Sequence, residues 1–165
     1  MRSGFRSAFL FVLLLATAAC RQPDGPMPTP SLDAQEDLAD ISRDLTYIAA
    51  ASDPAAPNDL AYDLRKYAEE PDGIQAVDEL SRRTASAIAN RKLPEQTAQR
   101  LAHTLWLSIS ATELSDRQVE ELQNDTQSML MSIGVADAQA EQVAAQIGEV
   151  QRAVTRRVRR WYEWF

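Results

Sequence analysis

Few side chains in this chain can do covalent or acid–base chemistry, and their spacing bounds what that chemistry could be. His103 is the single histidine and Cys20 the single cysteine. His103 falls in a run of helical spacing with Trp106 three residues on, so the two share part of one face. A general base or metal ligand needs a nucleophile or further ligands beside it. Ser108 and Ser110 are close in sequence, but a serine one turn from a histidine is not a triad, and no G-x-S-x-G stretch occurs. The acidic pairs Glu69-Glu70, Asp78-Glu79 and Glu120-Glu121 are adjacent residues, which on a helix point about 100° apart and do not converge on one substrate. There is no Gly-rich phosphate loop, EF-hand pattern or H-E-x-x-H motif. One cysteine excludes an intrachain disulfide framework and any C-x-x-C site, and one histidine argues against a multi-histidine zinc centre. The expectation is a protein that binds rather than an enzyme, with no cofactor and no metal.

The cysteine has a better use than chemistry on a substrate. Residues 1–20 read MRSGFRSAFLFVLLLATAAC, with Arg2 and Arg6 ahead of a short apolar run that closes on small residues. That is the pattern of an export signal, and the apolar run is too short for the roughly 20 residues of a membrane span. The segment Thr17-Ala18-Ala19-Cys20 resembles the bacterial lipobox, with Thr17 where an aliphatic residue is usual. The resemblance covers the signal alone. It implies removal of residues 1–19 and lipidation of Cys20, whose acyl chains would hold the chain on a membrane. Arg21 after the cysteine, by resemblance to enterobacterial sorting, points to the outer membrane and a periplasmic location. Residues 21–31, RQPDGPMPTPS, are Pro-rich and read as a flexible tether.

Residues 32–165 read as one helical domain. Ala, Gln, Glu, Leu and Arg are frequent, and no stretch alternates apolar and polar residues as a half-buried strand would. Leu38, Ile41, Leu45 and Ile48 place a helix after Ser31, stopping at Asp53-Pro54. Leu60, Leu64 and Tyr67 place a second, capped by Asn58 and ended by Pro71. A capping box at Asp72 and Gln75 opens a third with Ile74, Val77, Leu80, Thr84 and Ile88. Pro94 starts a fourth that buries Ala98, Leu101, Leu105 and Ile109. Ser115 and Gln118 form a second capping box for the fifth, with Leu122, Thr126, Met129 and Ile133 inside and Gly134 beyond its end. Asp137 opens the last, along Ala140, Val143, Ile147, Val150, Val154, Val158, Trp161 and Phe165. Leu80, Leu101, Leu122 and Val143 recur at a constant interval, which antiparallel helices of similar length explain without a duplicated unit. The expected fold is all-α, an up-down antiparallel bundle of about five to six helices after a cleaved signal and a Pro-rich tether.

Leu114-Ser115-Asp116-Arg117-Gln118 resembles the L-T-x-x-Q motif of a family of helical periplasmic stress chaperones, with Ser115 in place of Thr. The likeness covers five residues. It implies a second reading, a periplasmic chaperone or stress sensor that holds client protein or metal on a concave helical face.

Charge is segregated. Residues 22–150 carry 9 basic and 23 acidic side chains, whereas residues 151–165, QRAVTRRVRRWYEWF, carry five arginines and Glu163. Arg152, Arg156, Arg159 and Arg160 lie on or beside the face opposite the apolar seam, and Trp161, Tyr162, Trp164 and Phe165 cluster at the end; Arg156, Arg157, Arg159, Arg160 and these four aromatics are the candidate contact residues. These residues suit packing onto the acidic body, docking on a partner protein through a Trp-, Tyr- and Arg-rich hot spot, or contact with an anionic membrane surface. An exported, acidic chain does not fit nucleic-acid binding. The sequence therefore predicts a lipid-anchored envelope protein, acting non-catalytically as an interaction or assembly factor for an envelope partner that it does not name.

Overall fold

The structure, a computed structural model, describes residues 25–111 and 114–162, with side chains as far as Val154. Its elements are α1 (Leu32–Ala50), α2 (Ala56–Arg65), α3 (Pro71–Ile88), α4 (Glu95–Ser110), α5 (Asp116–Ser132) and α6 (Asp137–Tyr162), and no strand occurs among the described residues. The expected all-α bundle is the observed one. Its core is the expected set at 3.6-residue spacing: Ile41, Leu45, Leu60, Leu64, Val77, Leu80, Leu101, Leu105, Ile109, Val143, Ile147 and Val150 are all fully buried.

Local chemistry sets most helix ends. The Ser31 hydroxyl accepts the Ala34 N–H at the start of α1. At the start of α5 the capping box is complete: Ser115 Oγ accepts the Gln118 N–H at 3.2 Å, and Gln118 Oε1 accepts the Ser115 N–H at 2.9 Å. Gly134, at φ +82°, follows the end of α5 in a conformation that costs glycine nothing.

Two boundaries differ from the sequence reading. Helix α2 starts at Ala56, not after Asn58, because Asp53 Oδ1 accepts the Ala55 N–H and Pro57 fits a first turn where its missing N–H costs no bond. Pro71 opens α3 rather than closing α2, which already ends at Arg65; Glu70 is the cap residue, and the expected Asp72–Gln75 box does not form. Pro is as good at a helix start as after an end, so the residue alone did not say which side of it the helix lay.

Successive helices alternate in direction, yet not all are packed side by side. Helix α3 packs mainly on α6 and α2, while its successor α4 packs on α1, α5 and α6. Alternation gives the bundle two poles. The near pole holds the start of α1, the α2–α3 turn, the α4–α5 turn and the exit of α6. The far pole holds the α1–α2, α3–α4 and α5–α6 turns. The Asp37–Lys66 ion pair between the start of α1 and the end of α2, the bonds from α6 to the start of α3 (Gln146 to Ala76) and to the end of α4 (Gln151), and the bond from Arg91 to Gly134 between the α3–α4 and α5–α6 turns fix this arrangement.

Candidate functional site

The near pole brings together the first described residues, from Gly25, and the exit of α6. Gly25 is tied to the first turn of α5, since Gln118 Nε2 donates to its carbonyl at 3.0 Å. The same Gln118 side chain closes the capping box, so one residue joins the incoming chain to a helix start. From Gly25 the backbone runs without helix to Ser31, and Met27 packs against the core. Residues 25–31, expected as tether, therefore touch the folded body. Prolines 26, 28 and 30 favour the extended backbone of this strap.

Helix α6 arrives at the same pole. Gln151 is buried, and its Nε2 donates to the carbonyls of Ser108 at 2.6 Å and Ala111 at 2.9 Å, at the end of α4. Ala153 and Val154 line a small cavity with Gly73 of α3, Ile109 and Ser110 of α4 and the α2–α3 turn. Residues 151–154 of α6 are thus level with the start of α3 and the end of α4, next to the start of α5. The helical backbone continues to Tyr162.

Of the residues singled out from sequence, Cys20, Trp164 and Phe165 lie outside the described residues. Arg156, Arg157, Arg159, Arg160, Trp161 and Tyr162 fall on the α6 backbone past Val154, and their side chains lie outside the description. His103 is half-buried and stacks on Trp106, with ring centroids 6.0 Å apart and planes at 21°. Tyr67 meets the same indole edge-on at 6.3 Å. Burial pulls the His103 imidazole below its usual range. The Ser108 and Ser110 hydroxyls each donate to a carbonyl of their own helix, at Leu105 and Trp106, as helical serines commonly do. Among the described residues, no three His, Cys, Asp or Glu side chains are placed to hold a metal ion.

The sequence reading missed a polar seam between α1 and α2. Asp37 accepts from Lys66 Nζ at 3.1 Å and from the Tyr67 hydroxyl, and Lys66 also pairs with Asp63 at 2.9 Å. The Tyr67 hydroxyl and then Lys66 hold Asp37 below the ordinary carboxylate range, against the opposing effect of burial. Burial, and after it the Asp37 carboxylate, pushes Tyr67 up to about 12. Further along α1, Asp44 is only 4% exposed, and its Oδ2 is buried without a hydrogen-bond partner. Burial, with the nearby Asp63 charge second, pushes Asp44 up to about 6. The signal was present: Asp44 sits on the Ile41, Leu45, Ile48 face, where a carboxyl has no place to meet water.

A shallow groove of about 990 Å³ lies between α1 and α4, with Leu38, Tyr47 and Leu93 on its walls and Arg43 and Glu95 among its polar residues. The motif at Leu114–Gln118 serves as a cap, and Leu122, Met129 and Leu130 beyond it are buried in the bundle. Among the described residues, no helix is long and apolar enough to cross a membrane. No protein-family model matches this chain, and comparison with curated proteins and with solved structures gives no match either.

Proposed function

We propose that this chain is a lipid-anchored protein of the bacterial cell envelope, acylated at Cys20, that acts by binding another envelope protein rather than by catalysis. The sequence support is the export signal ending in Thr17-Ala18-Ala19-Cys20. The structural observation that supports the reading is the bond from Gln118 to Gly25, which ties the chain to the folded body five residues after that cysteine in sequence. From Cys20 to Gly25 an extended chain reaches at most about 17 Å. An acylated Cys20 would hold the body on a short leash, near pole toward the bilayer, with the far pole and the α1–α4 groove presented to the periplasm.

Two measurements test this. Cells fed an alkyne fatty acid should label the wild-type chain, and Cys20→Ser should abolish the label; labelling that survives the substitution overturns the anchor. A photo-cross-linker at Tyr47, which is 40% exposed in the groove, should capture one discrete envelope protein in intact cells. Capture of only solvent-derived or heterogeneous adducts there and at Tyr62, the exposed tyrosine of α2, would overturn the partner-binding reading.

A further inference from the structure

We infer that the contact between α1 and α2 is a pH-gated joint: it is shut while Asp44 is protonated, and α2 loosens from its place when Asp44 is charged. This device is a property of the folded body and does not depend on the anchored reading.

Helical spacing builds the joint. Asp37 and Asp44 are seven residues apart on α1 and lie on one stripe; Asp59 and Lys66 share a stripe of α2 by the same spacing, with Asp63 between them. Lys66 Nζ reaches Asp37 at 3.1 Å, so the two stripes face each other. The helices run in opposite directions, so a step along α1 from Asp37 to Asp44 matches a step back along α2 from Lys66 toward Asp59. The middle of the joint therefore sets carboxylates of one helix against carboxylates of the other.

Cations do not balance them there. Lys66 is engaged by Asp37 and, at 2.9 Å, by Asp63, which is itself only 8% exposed. Among the described residues, the charges that act on Asp44 are those of Asp63 and Asp59 from α2, and of Arg43 and Asp40 from its own helix. Arg43 is mostly in water and pairs with Asp40 at 2.9 Å. Helices α3 and α4 also pack on α1, and none of their charges is among those acting on Asp44. Asp44 Oδ2 is buried without a hydrogen-bond partner. A neutral carboxyl suits that place. A charged one faces two aspartates of α2 with almost no water and no cation of its own.

Helix α2 is also the element least able to resist. It has 10 residues, whereas the next shortest, α4, has 16. A helix of that length does not persist in water without its neighbours. Its buried apolar side chains are Ala56, Leu60 and Leu64 alone. Local opening is cheapest where so few apolar groups are held. When α2 leaves, Asp44 regains water, and Leu60 and Leu64 are uncovered together with part of the apolar face of α1.

The sign follows from burial. Asp44, raised to about 6 in the closed joint, favours closure in full below its ordinary 3.8 and loses that advantage as pH climbs to about 6. The open fraction of α2 should rise about fifty-fold between pH 4 and pH 7. Asp37 titrates in another window. The Tyr67 hydroxyl, and after it Lys66, hold it below the ordinary carboxylate range, so its bonds fail only in more acid solution.

Hydrogen exchange of the full chain, read by mass spectrometry from pH 4 to pH 7 and corrected for the intrinsic pH dependence of exchange, tests the joint. Protection of peptides within residues 56–66 should fall about fifty-fold over that range. At low urea this exchange should hardly respond to denaturant, the mark of a local opening, while exchange in α5 and α6 should respond steeply. Asp44→Asn, neutral at every pH, should keep α2 at pH 7 about fifty-fold better protected than the wild type. Asp59→Asn, an exposed change that leaves Asp44 in place, should give a smaller gain of a few-fold. Carbon-13 NMR titration of the wild-type Asp44 carboxyl should show a midpoint near 6. The joint is refuted if α2 keeps the same protection from pH 4 to pH 7, or if the Asp44 midpoint lies at its ordinary value. It is equally refuted if α2 exchanges with the same protection and urea dependence as α5 and α6, because the pH effect would then act on global unfolding alone.

Discussion

The two poles of the bundle are closed by different means. At the far pole the turns close on themselves: the Ala51 N–H reaches Ile48, the Arg91 N–H reaches Ile88, and the Gly134 N–H reaches Met131. Left-handed backbone at Ala51, Asn90 and Gly134 makes these tight reversals, and one long-range bond, from Arg91 to the Gly134 carbonyl at 2.6 Å, ties two of them together. At the near pole the closing groups come from distant parts of the chain: Gln118 holds Gly25, Gln151 holds Ser108 and Ala111, and Lys66 holds Asp37. A pole built from short turns follows from local sequence and serves mainly to reverse the chain. A pole that joins Gly25, the end of α4, the start of α1 and α6 through side-chain bonds depends on residues far apart in the chain and keeps its arrangement only while all of them are in place.

The largest effect expected in the body belongs to neither pole and gives the baseline for both. Asp44→Asn removes a buried carboxyl whose folded-state pKa, about 6, lies above its ordinary value of 3.8. A group raised in this way contributes full stability below its unfolded value and loses it as pH rises through the folded one. Wild-type stability should therefore fall between about pH 4 and pH 6 from this group, and Asp44→Asn should not show that fall. Near pH 8 the substitution should raise stability by about 3 kcal/mol, and near pH 4 by little, measured by urea unfolding at both pH values. An unchanged difference between the two pH values would mean that Asp44 is not buried in its charged form.

The next effect should be confined to the far pole. Gly134→Ala places a Cβ at φ +82° and should cost about 1–2 kcal/mol. Hydrogen exchange should quicken around the α5–α6 turn and leave residues 25–31 unchanged. The smallest effect sharpens the near pole. Gln118→Ala removes the bond to Gly25 and half of the capping box, and should cost about 1 kcal/mol. Its clearer signature is faster proteolysis within residues 24–31, read by mass spectrometry of the cleavage products. If Gly134→Ala loosens the strap, or Gln118→Ala leaves it as resistant as before, the poles are not the independent units described.

Much of the body was legible in the sequence, because its apolar residues recur at one period and its caps are local. Ser31, Ser115 with Gln118, and Gly134 each do what four or five consecutive residues imply. Asn58 and Pro71 misled, because a residue type that favours caps also sits inside a first turn, and proline marks the edge of a helix without saying which side the helix lies on. The pairing of α3 with α6 was hidden, since helices of similar length and amphipathicity can exchange neighbours with no change in their own pattern. At the site, the composition of residues 155–165 was plain from the start, but its position was not. Only the long-range bonds of Gln118 and Gln151 place the strap and α6 at one pole. Asp44 carried a signal of its own, since a single carboxyl on the apolar Ile41, Leu45 and Ile48 face has no route to water, whereas the adjacent acidic pairs straddle that boundary.

The bond between Gln118 and Gly25 also sets an order in time. It joins residues 93 apart, so a chain emerging from its N-terminus cannot make it until four helices and the start of the fifth have followed. Contacts of such separation form late, after the helices between them have begun to pair. During that interval residues 25–30 have no docking place on the body. Docking of the strap then withdraws the segment once the body is complete.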